Sequence, residues 1–300
     1  MNGHLRLIQS VLPATVDLRV TIPESHPSAR NLGAERAGSG TIVDPAGYIL
    51  TVHYITVGAS SIVVTTADGE ELPGTLAADD QESGLALVKV PGSDFPFLHP
   101  APPESIQLGA PAFIVASAGE GQRRTSGGYI TSFEGYDGHW EYMLEKSIRL
   151  TAPNPGTGGG ALVDFAGRLM GIVSLNLGEI AKCTLAIPIE LYLKYESELK
   201  QFGRVRSRPP RPWLGIYPQH MGGHVVIAGL VPGGPGEQSG LKEGDIIVKV
   251  ETQEIRSRAE LYRELWKKRP GEQIAVRILR EEESLELAVV GADRRARYGS

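Results

Sequence analysis

The sequence predicts a mainly β protein, and two observations lead to this prediction. Short runs rich in Val and Ile recur along most of the chain, separated by Gly, Pro, Asn and Asp. Such runs are typical of strands, and their spacing is typical of an all-β barrel or sandwich. The 37 glycines and 21 prolines among 300 residues fit many turns between short strands.

The composition is that of a soluble globular protein with room for two or three domains. The formal net charge of -5 gives no electrostatic reason to expect nucleic acid or an anionic membrane as partner. The single cysteine, Cys183, excludes an intramolecular disulfide. We expect no cofactor, because the glycines at 156–160 lack the Lys and helix of a phosphate loop. We also expect no metal site, since His220 and His224 have no clustered carboxylates beside them.

The N-terminal apolar stretch, residues 5–20, predicts neither a membrane span nor a signal-peptide core. Gln9, Pro13, Asp17 and Arg19 interrupt it. The initial Met favours a cytoplasmic protein, and a periplasmic or secreted location is expected if a leader has been removed.

Strands are predicted along the first 174 residues. A short helix precedes a strand at 15–22, a polar loop spans 24–37, and a hairpin joins 38–43 to 48–51. Further strands are predicted at 61–66, 84–90, 112–116, 127–133, 146–150, 161–164 and 168–174. Residues 91–107 connect two groups of strands, and 189–202 form a surface helix that ends at Gly203.

A linker rich in Arg and Pro, residues 204–212, separates a second module at 213–291. In this module a helix is predicted at 257–268, capped by Ser257 with Glu260 three residues on. The charged tail, residues 292–300, is expected to be disordered.

Two motifs resemble known families. The loop N-P-G-T-G-G-G-A-L-V at 154–163 resembles the nucleophile loop N-P-G-N-S-G-G-P-L-V of the HtrA/Deg family of trypsin-like serine proteases. The run S-G-L-K-E-G-D-I-I at 239–247 resembles the S-G-L-x-x-G-D-x-I element of bacterial PDZ domains. The resemblance implies a chymotrypsin/trypsin-like double β-barrel over residues 1–203, followed by a C-terminal PDZ domain.

None of the three positions that match the family's catalytic triad holds a catalytic residue. The histidine position, three residues after Thr51, is Tyr54, and a histidine stands one residue early at His53. The aspartate position before L-A-L is Gly84, and the serine position is Gly158. Glycine offers neither nucleophile nor carboxylate, and a tyrosine with a pKa of about 10 is a poor base at neutral pH.

Potential catalytic residues next to these positions leave open the alternative of a relocated triad. His53, Ser83 and Thr157 each precede a lost position, and a carboxylate at Asp79, Asp80 or Glu82 could serve as a substitute. A one-residue shift in a strand turns a side chain to the opposite face, so His53 is expected to point away from the site. The backbone N–H groups of Gly156, Thr157 and Gly158 could still form an oxyanion-like pair.

The PDZ resemblance implies peptide binding. Such domains capture a C-terminal carboxylate with backbone N–H groups, and the matching loop is Trp213-Leu214-Gly215-Ile216. Leu261 and Leu265 share one helix face and could line the peptide groove. They could equally be core residues.

The sequence therefore predicts a proteolytically inactive HtrA-like protein that binds polypeptide segments or C-termini, as an adaptor, holdase or regulator of an active relative. By family resemblance it is expected to form a homo-oligomer, namely a trimer. The rival hypotheses are a hydrolase with relocated catalytic groups and a structural oligomerisation platform.

Overall fold

We describe the fold from a computed structural model of the chain, which describes residues 3–178 and 183–299. The chain forms two compact units. The first contains the residues up to 134 together with 146–206, and the second contains 135–145 together with 207–299. The domain expected at 1–203 is thus interrupted, because residues 135–145 pack with the C-terminal unit.

The first barrel contains six antiparallel strands. They are β1 (Thr15–Thr21), β2 (Glu35–Asp44), β3 (Tyr48–Val52), β4 (Ser61–Thr65), β5 (Glu71–Asp80) and β6 (Leu85–Lys89). The sheet closes in the order β1-β2-β3-β6-β5-β4. Val16, Leu18 and Val20 of β1 are fully buried, as expected of alternate side chains that face a barrel interior.

Three short helices accompany this barrel: α1 (Gly3–Val11), α2 (Ala29–Leu32) and α3 (His53–Thr56). The helix predicted before the first strand is confirmed by α1. The prediction of an irregular loop over 24–37 is wrong in part, since α2 and the first residues of β2 lie within it.

The chain then continues into a second barrel, with a hairpin inserted in its sequence. The strands are β7 (Pro111–Ser117), β8 (Arg123–Ser132), β9 (Tyr136–Gly138), β10 (Tyr142–Leu144), β11 (Ile148–Leu150), β12 (Ala161–Val163), β13 (Leu169–Asn176) and β14 (Thr184–Pro188). The barrel closes in the order β11-β14-β13-β12-β7-β8, while β9 and β10 pair only with each other. The sequence thus predicted the mainly β class correctly, and the resemblance predicted two barrels correctly.

The helix predicted at 189–202 is two helices, α4 (Ile189–Leu193) and α5 (Glu196–Phe202). The break lies at Tyr195, whose φ of -123° and ψ of 11° are not helical. The end of α5 is as predicted, because Gly203 adopts a left-handed φ of 69° that favours glycine.

The second unit contains a six-stranded sheet, a separate two-stranded pair and three helices. Its elements are β15 (Pro212–Trp213), β16 (Ile216–Met221), β17 (His224–Leu230), α6 (Pro235–Gln238), β18 (Ile246–Val250), β19 (Gln253–Glu254), α7 (Arg258–Leu265), β20 (Gln273–Arg280), β21 (Glu283–Val290), β22 (Ala292–Asp293) and α8 (Arg294–Tyr298). The sheet order is β16-β17-β18-β20-β21, with β19 beside β18 and β15 paired with β22. Ser257 caps α7 as predicted, since its hydroxyl accepts the backbone N–H of Glu260 at 3.2 Å.

The described part of the charged tail, residues 292–299, is ordered, contrary to expectation, and Ser300 lies outside the described residues. Asp293 ends β22, and its side chain accepts the backbone N–H of Arg295 at 3.0 Å, which caps α8. Arg294 donates to the backbone carbonyl of Trp140 at 2.9 Å. These hydrogen bonds and the pairing of β22 with β15 hold the tail in place, although its composition, rich in arginine, predicts disorder.

Candidate functional site

Tyr54 and Gly158, which match the family's histidine and serine positions, lie against each other. A Cβ built on Gly158 would stand 2.1 Å from the hydroxyl oxygen of Tyr54, where real Cβ contacts are essentially never below 3.0 Å. The same hydroxyl donates to the carbonyl of Ser174 at 2.8 Å. Residue 158 therefore has no room for a side chain unless Tyr54 moves.

Burial defines the chemistry of this tyrosine. It raises the pKa of the Tyr54 hydroxyl to about 12, because the phenolate would lose its hydration. A hydroxyl with this pKa is neutral at physiological pH and is a donor to Ser174, so it does not act as a base.

A buried arginine holds the helix that carries Tyr54. The guanidinium of Arg36, in β2, donates to the carbonyls of Tyr54 at 2.9 Å and Val57 at 3.1 Å, and to the hydroxyl of Ser28 at 2.7 Å. Burial lowers the pKa of Arg36, and these acceptors offset the cost of burying its charge. The position of Tyr54 is therefore determined by the backbone of α3 and not only by its own hydroxyl.

The glycines of the loop 154–160 are required by packing. A Cβ on Gly159, whose φ is 95°, would lie 1.9 Å from the carbonyl oxygen of Ser39. A Cβ on Gly156 would lie 2.1 Å from the carbonyl oxygen of Ser117. The backbone N–H of Ser39 also donates to the carbonyl of Gly158 at 2.7 Å. The close approach of β2 and β7 to this loop thus explains its glycine content without any catalytic role.

The hydroxyl of Thr157 is engaged with the barrels. It donates to the carbonyl of Ser117 at 3.1 Å and shares a hydrogen bond of 2.9 Å with the hydroxyl of Ser39. Neither partner is a base, so this hydroxyl is not activated as a nucleophile.

Two of the three backbone groups expected to form an oxyanion-like site are already bonded. The N–H of Thr157 donates to the carbonyl of Ser117 at 2.9 Å and is therefore engaged within the chain. The N–H of Gly156 donates to the side chain of Asn154 at the longer distance of 3.3 Å. Within the described part of the chain, only the N–H of Gly158 has no recorded acceptor among these three groups.

His53 pairs with Asp79, one of the substitute carboxylates considered from the sequence. Nδ1 of His53 is hydrogen-bonded to Oδ1 of Asp79, and both side chains are largely buried. The argument from strand alternation does not apply, because β3 ends before His53 and α3 begins with it. Among the described residues, no hydroxyl or thiol is hydrogen-bonded to the His53 side chain. The pair is thus a histidine and carboxylate without a nucleophile.

Gly84, at the family's aspartate position, adopts a φ of 78°. Its carbonyl accepts the backbone N–H of His53 at 2.9 Å. This left-handed conformation favours glycine, so a side chain at this position would be strained.

The loop expected to bind a peptide carboxylate holds a carboxylate of the chain itself. The backbone N–H groups of Leu214, Gly215 and Ile216 donate to the side chain of Glu141 at 2.9, 2.7 and 3.0 Å. Sequence analysis missed Glu141 because it lies 73 residues before its first partner. The one local signal is an acidic residue inside the aromatic and apolar run 140–144.

The other predicted peptide-site residues lie in the core of the second unit. Leu261 and Leu265 are fully buried in one cluster with Leu214 and Ile216. Trp213 is also buried, in β15. The alternative that the two leucines are core residues is therefore consistent with their burial.

No group of three or more His, Cys, Asp or Glu side chains suited to a metal ion occurs in residues 3–178 and 183–299. Over the same residues, no helix has the length and apolar character needed to cross a membrane.

Two domain families match the chain. The trypsin-like peptidase domain family matches residues 38–172, and the PDZ domain family matches residues 212–290. Probable periplasmic serine endoproteases described as DegP-like, from Hahella chejuensis and Halomonas elongata, are 29% and 28% identical over 85% and 89% of this chain. The chain spans only 57% and 59% of the lengths of these two relatives.

A solved structure agrees over nearly the whole chain. The HtrA-type protease AlgW with a decapeptide is 26% identical, with a TM-score of 0.60. The similarity covers 98% of this chain and 99% of that chain. The fold of this chain is thus similar to that of the solved structure over nearly the whole length of both.

Proposed function

We propose that the chain is an HtrA-type binding protein that does not cleave peptides, since its domains and its relatives are of that type. The observation that carries the proposal is the Tyr54 hydroxyl, which fills the space where a side chain at residue 158 would begin. Loss of a whole triad costs roughly 10⁶ in rate in another serine protease. A surviving oxyanion donor at Gly158 could not compensate for that loss.

We further propose that the ligands are polypeptide segments or C-termini held by the PDZ domain, so that the protein acts as an adaptor, holdase or regulator. The backbone N–H groups of residues 214–216 support this, because their geometry already suits a carboxylate. The names of the relatives favour a periplasmic location over the cytoplasmic one expected from the sequence. A trimer, or an assembly with an active relative, is proposed by family resemblance alone.

The test is incubation of the purified protein with fluorescently labelled unfolded casein and with a fluorophosphonate that labels activated serines. We expect neither cleavage nor labelling. Cleavage that is abolished by His53→Ala or Thr157→Ala would overturn the proposal. Cleavage that survives in both variants and stays with the protein through further purification would overturn it as well.

The hydrolase with relocated groups is the second candidate, favoured by the hydrogen bond between His53 and Asp79. It needs a nucleophile, and the hydroxyl of Thr157 is instead bonded to Ser39 and Ser117. The variants of the casein experiment test this candidate directly. The third candidate, an oligomerisation platform, predicts that no free peptide end binds.

A further inference from the structure

The side chain of Glu141 is bound as a PDZ domain binds the end of a peptide. Its Oε1 accepts from Gly215 and Ile216, and its Oε2 accepts from Leu214. Glu141 is only 7% exposed, so this contact is internal to the unit and not a surface encounter. Three successive backbone donors on one carboxylate are the arrangement that captures a C-terminal carboxylate.

The hairpin β9–β10 is held in this position by further bonds. The Tyr262 hydroxyl, in α7, accepts the backbone N–H of Glu141 at 3.1 Å and donates to the carbonyl of Gly138 at 2.6 Å. Arg258 of α7 pairs with Asp137 at 3.0 Å. Glu141 has a φ of 54°, which is uncommon outside glycine and persists only where surrounding contacts fix it.

The hairpin also supplies an apolar side chain. Met143 is 6% exposed and belongs to the buried cluster that contains Leu214, Leu261 and Leu265. A carboxylate with an apolar side chain close by in the chain is what the last residues of a peptide present to a PDZ domain.

The edge strand β16 is poorly suited to pairing with a long extended peptide, and this favours binding of the hairpin through the Glu141 carboxylate. β16 is paired on one side only, with β17, so a peptide could add to its other edge. Pro218 lies within β16 and has no N–H, and proline in a sheet turns its nitrogen away from the ladder. An added strand would therefore lack one backbone donor and would depend more on the carboxylate loop.

We propose that residues 135–145 are an internal ligand of the PDZ domain, and that polypeptide C-termini bind only by displacing Glu141 and Met143. This inference rests on the proposed peptide-binding function. It also specifies the ligand class: a free C-terminal carboxylate with an aliphatic side chain, of the size of Met or Leu, in the last residues. Such a peptide end would supply a carboxylate in place of that of Glu141 and an apolar side chain in place of that of Met143.

The test uses the full chain and an array of decapeptides with random upstream sequence that end in Leu, Met, Val or Phe, each also in amidated form. We expect Glu141→Ala and Glu141→Gln to bind free-carboxylate peptides at least about tenfold more tightly than the natural sequence, because the competing ligand is removed. Amidation should abolish the gain. Glu145→Gln is the matched control, since Glu145 lies in the same segment but forms only an exposed ion pair with Arg263 at 2.9 Å.

Hydrogen exchange provides a readout that does not depend on the variants folding well. Adding a binding peptide to the natural sequence should reduce protection of residues 135–145, while the amides of 214–216 stay protected. Equal affinity of the natural and Glu141 variants, with unchanged protection of the hairpin, would overturn the internal ligand and leave peptide binding standing.

Peptide binding and the internal contact of Glu141 can be rejected independently of each other. If no peptide binds any variant, peptide binding is rejected. Loss of protection at 214–216 in Glu141→Ala would then still support the internal contact, whereas retained protection would reject it too.

Discussion

At the scale of residues, the side chain of Tyr54 and the absence of a side chain at Gly158 depend on each other. A serine at residue 158 would need the space that the Tyr54 hydroxyl occupies. A histidine at residue 54 would lack the hydroxyl that donates to the carbonyl of Ser174. A change at either position alone is therefore expected to be unfavourable.

This coupling can be measured with a double-mutant cycle. We expect Gly158→Ala to lower the free energy of unfolding by about 1–3 kcal/mol, because its Cβ overlaps the Tyr54 hydroxyl. In the background of Tyr54→Phe, which lacks that oxygen, the same change should cost less, with a coupling energy of about 0.5–3 kcal/mol. Urea denaturation of the four proteins gives these values.

Gly178→Ala is the control for this cycle, since a Cβ there meets no atom within 4 Å. It should change stability equally in both backgrounds. Strictly additive costs for Gly158→Ala and Tyr54→Phe would contradict the account of the site.

At the scale of elements, sequence patterns predicted most strands but missed those that are interrupted or very short. The turn at 44–47 and the β2–β3 hairpin follow from local turn chemistry, and the cap of α7 follows from Ser257 and Glu260. The strand β5 was missed because Pro73 and Gly74 interrupt its pattern. The missed strands β9 and β10 have three residues each and too few side chains to show a period.

The site was predictable only where its signal was local. The motifs predicted which positions to compare with a catalytic triad, and the glycine content of the loop indicated close packing, which the structure shows. The partner of His53 is 26 residues away and that of Glu141 at least 73, so tertiary folding alone brings them together.

One hydroxyl joins α7 to the β9–β10 hairpin, and its removal should loosen the hairpin. Tyr262→Phe leaves the N–H of Glu141 and the carbonyl of Gly138 without this partner, which should cost about 1–3 kcal/mol. Hydrogen exchange should show the loss at 135–145. Tyr129→Phe is the control, because Tyr129 is 59% exposed. Unchanged protection of the hairpin in Tyr262→Phe would contradict the assigned role of the hydroxyl.

At the scale of the whole molecule, two separate cores explain why neighbours in sequence can belong to different folding units. Met143 is buried in the core of the second unit, and Met170 is fully buried in the core of the second barrel. Each core buries its own set of apolar side chains, so each unit should unfold with its own transition.

Matched truncations test this division. Met143→Ala should destabilise the unit that contains the PDZ domain by about 2–5 kcal/mol, and Met170→Ala should destabilise the barrels by a similar amount. Calorimetry resolves the two transitions, and hydrogen exchange assigns them. If Met143→Ala instead lowers the transition of the barrels, the hairpin belongs to the first unit.

The interruption of the first unit by residues 135–145 has a consequence for modular exchange. A PDZ domain that begins after a linker can be cut out and fused elsewhere as one continuous piece. Here such a transplant, taken from residue 207 onward, would leave behind the Glu141 carboxylate and the Met143 side chain. In the fusion protein the N–H groups of residues 214–216 would lack the Glu141 carboxylate. In the remaining barrels the β9–β10 hairpin would lack the unit on which it packs. The continuous segment that matches a PDZ domain is therefore smaller than the compact unit that contains it.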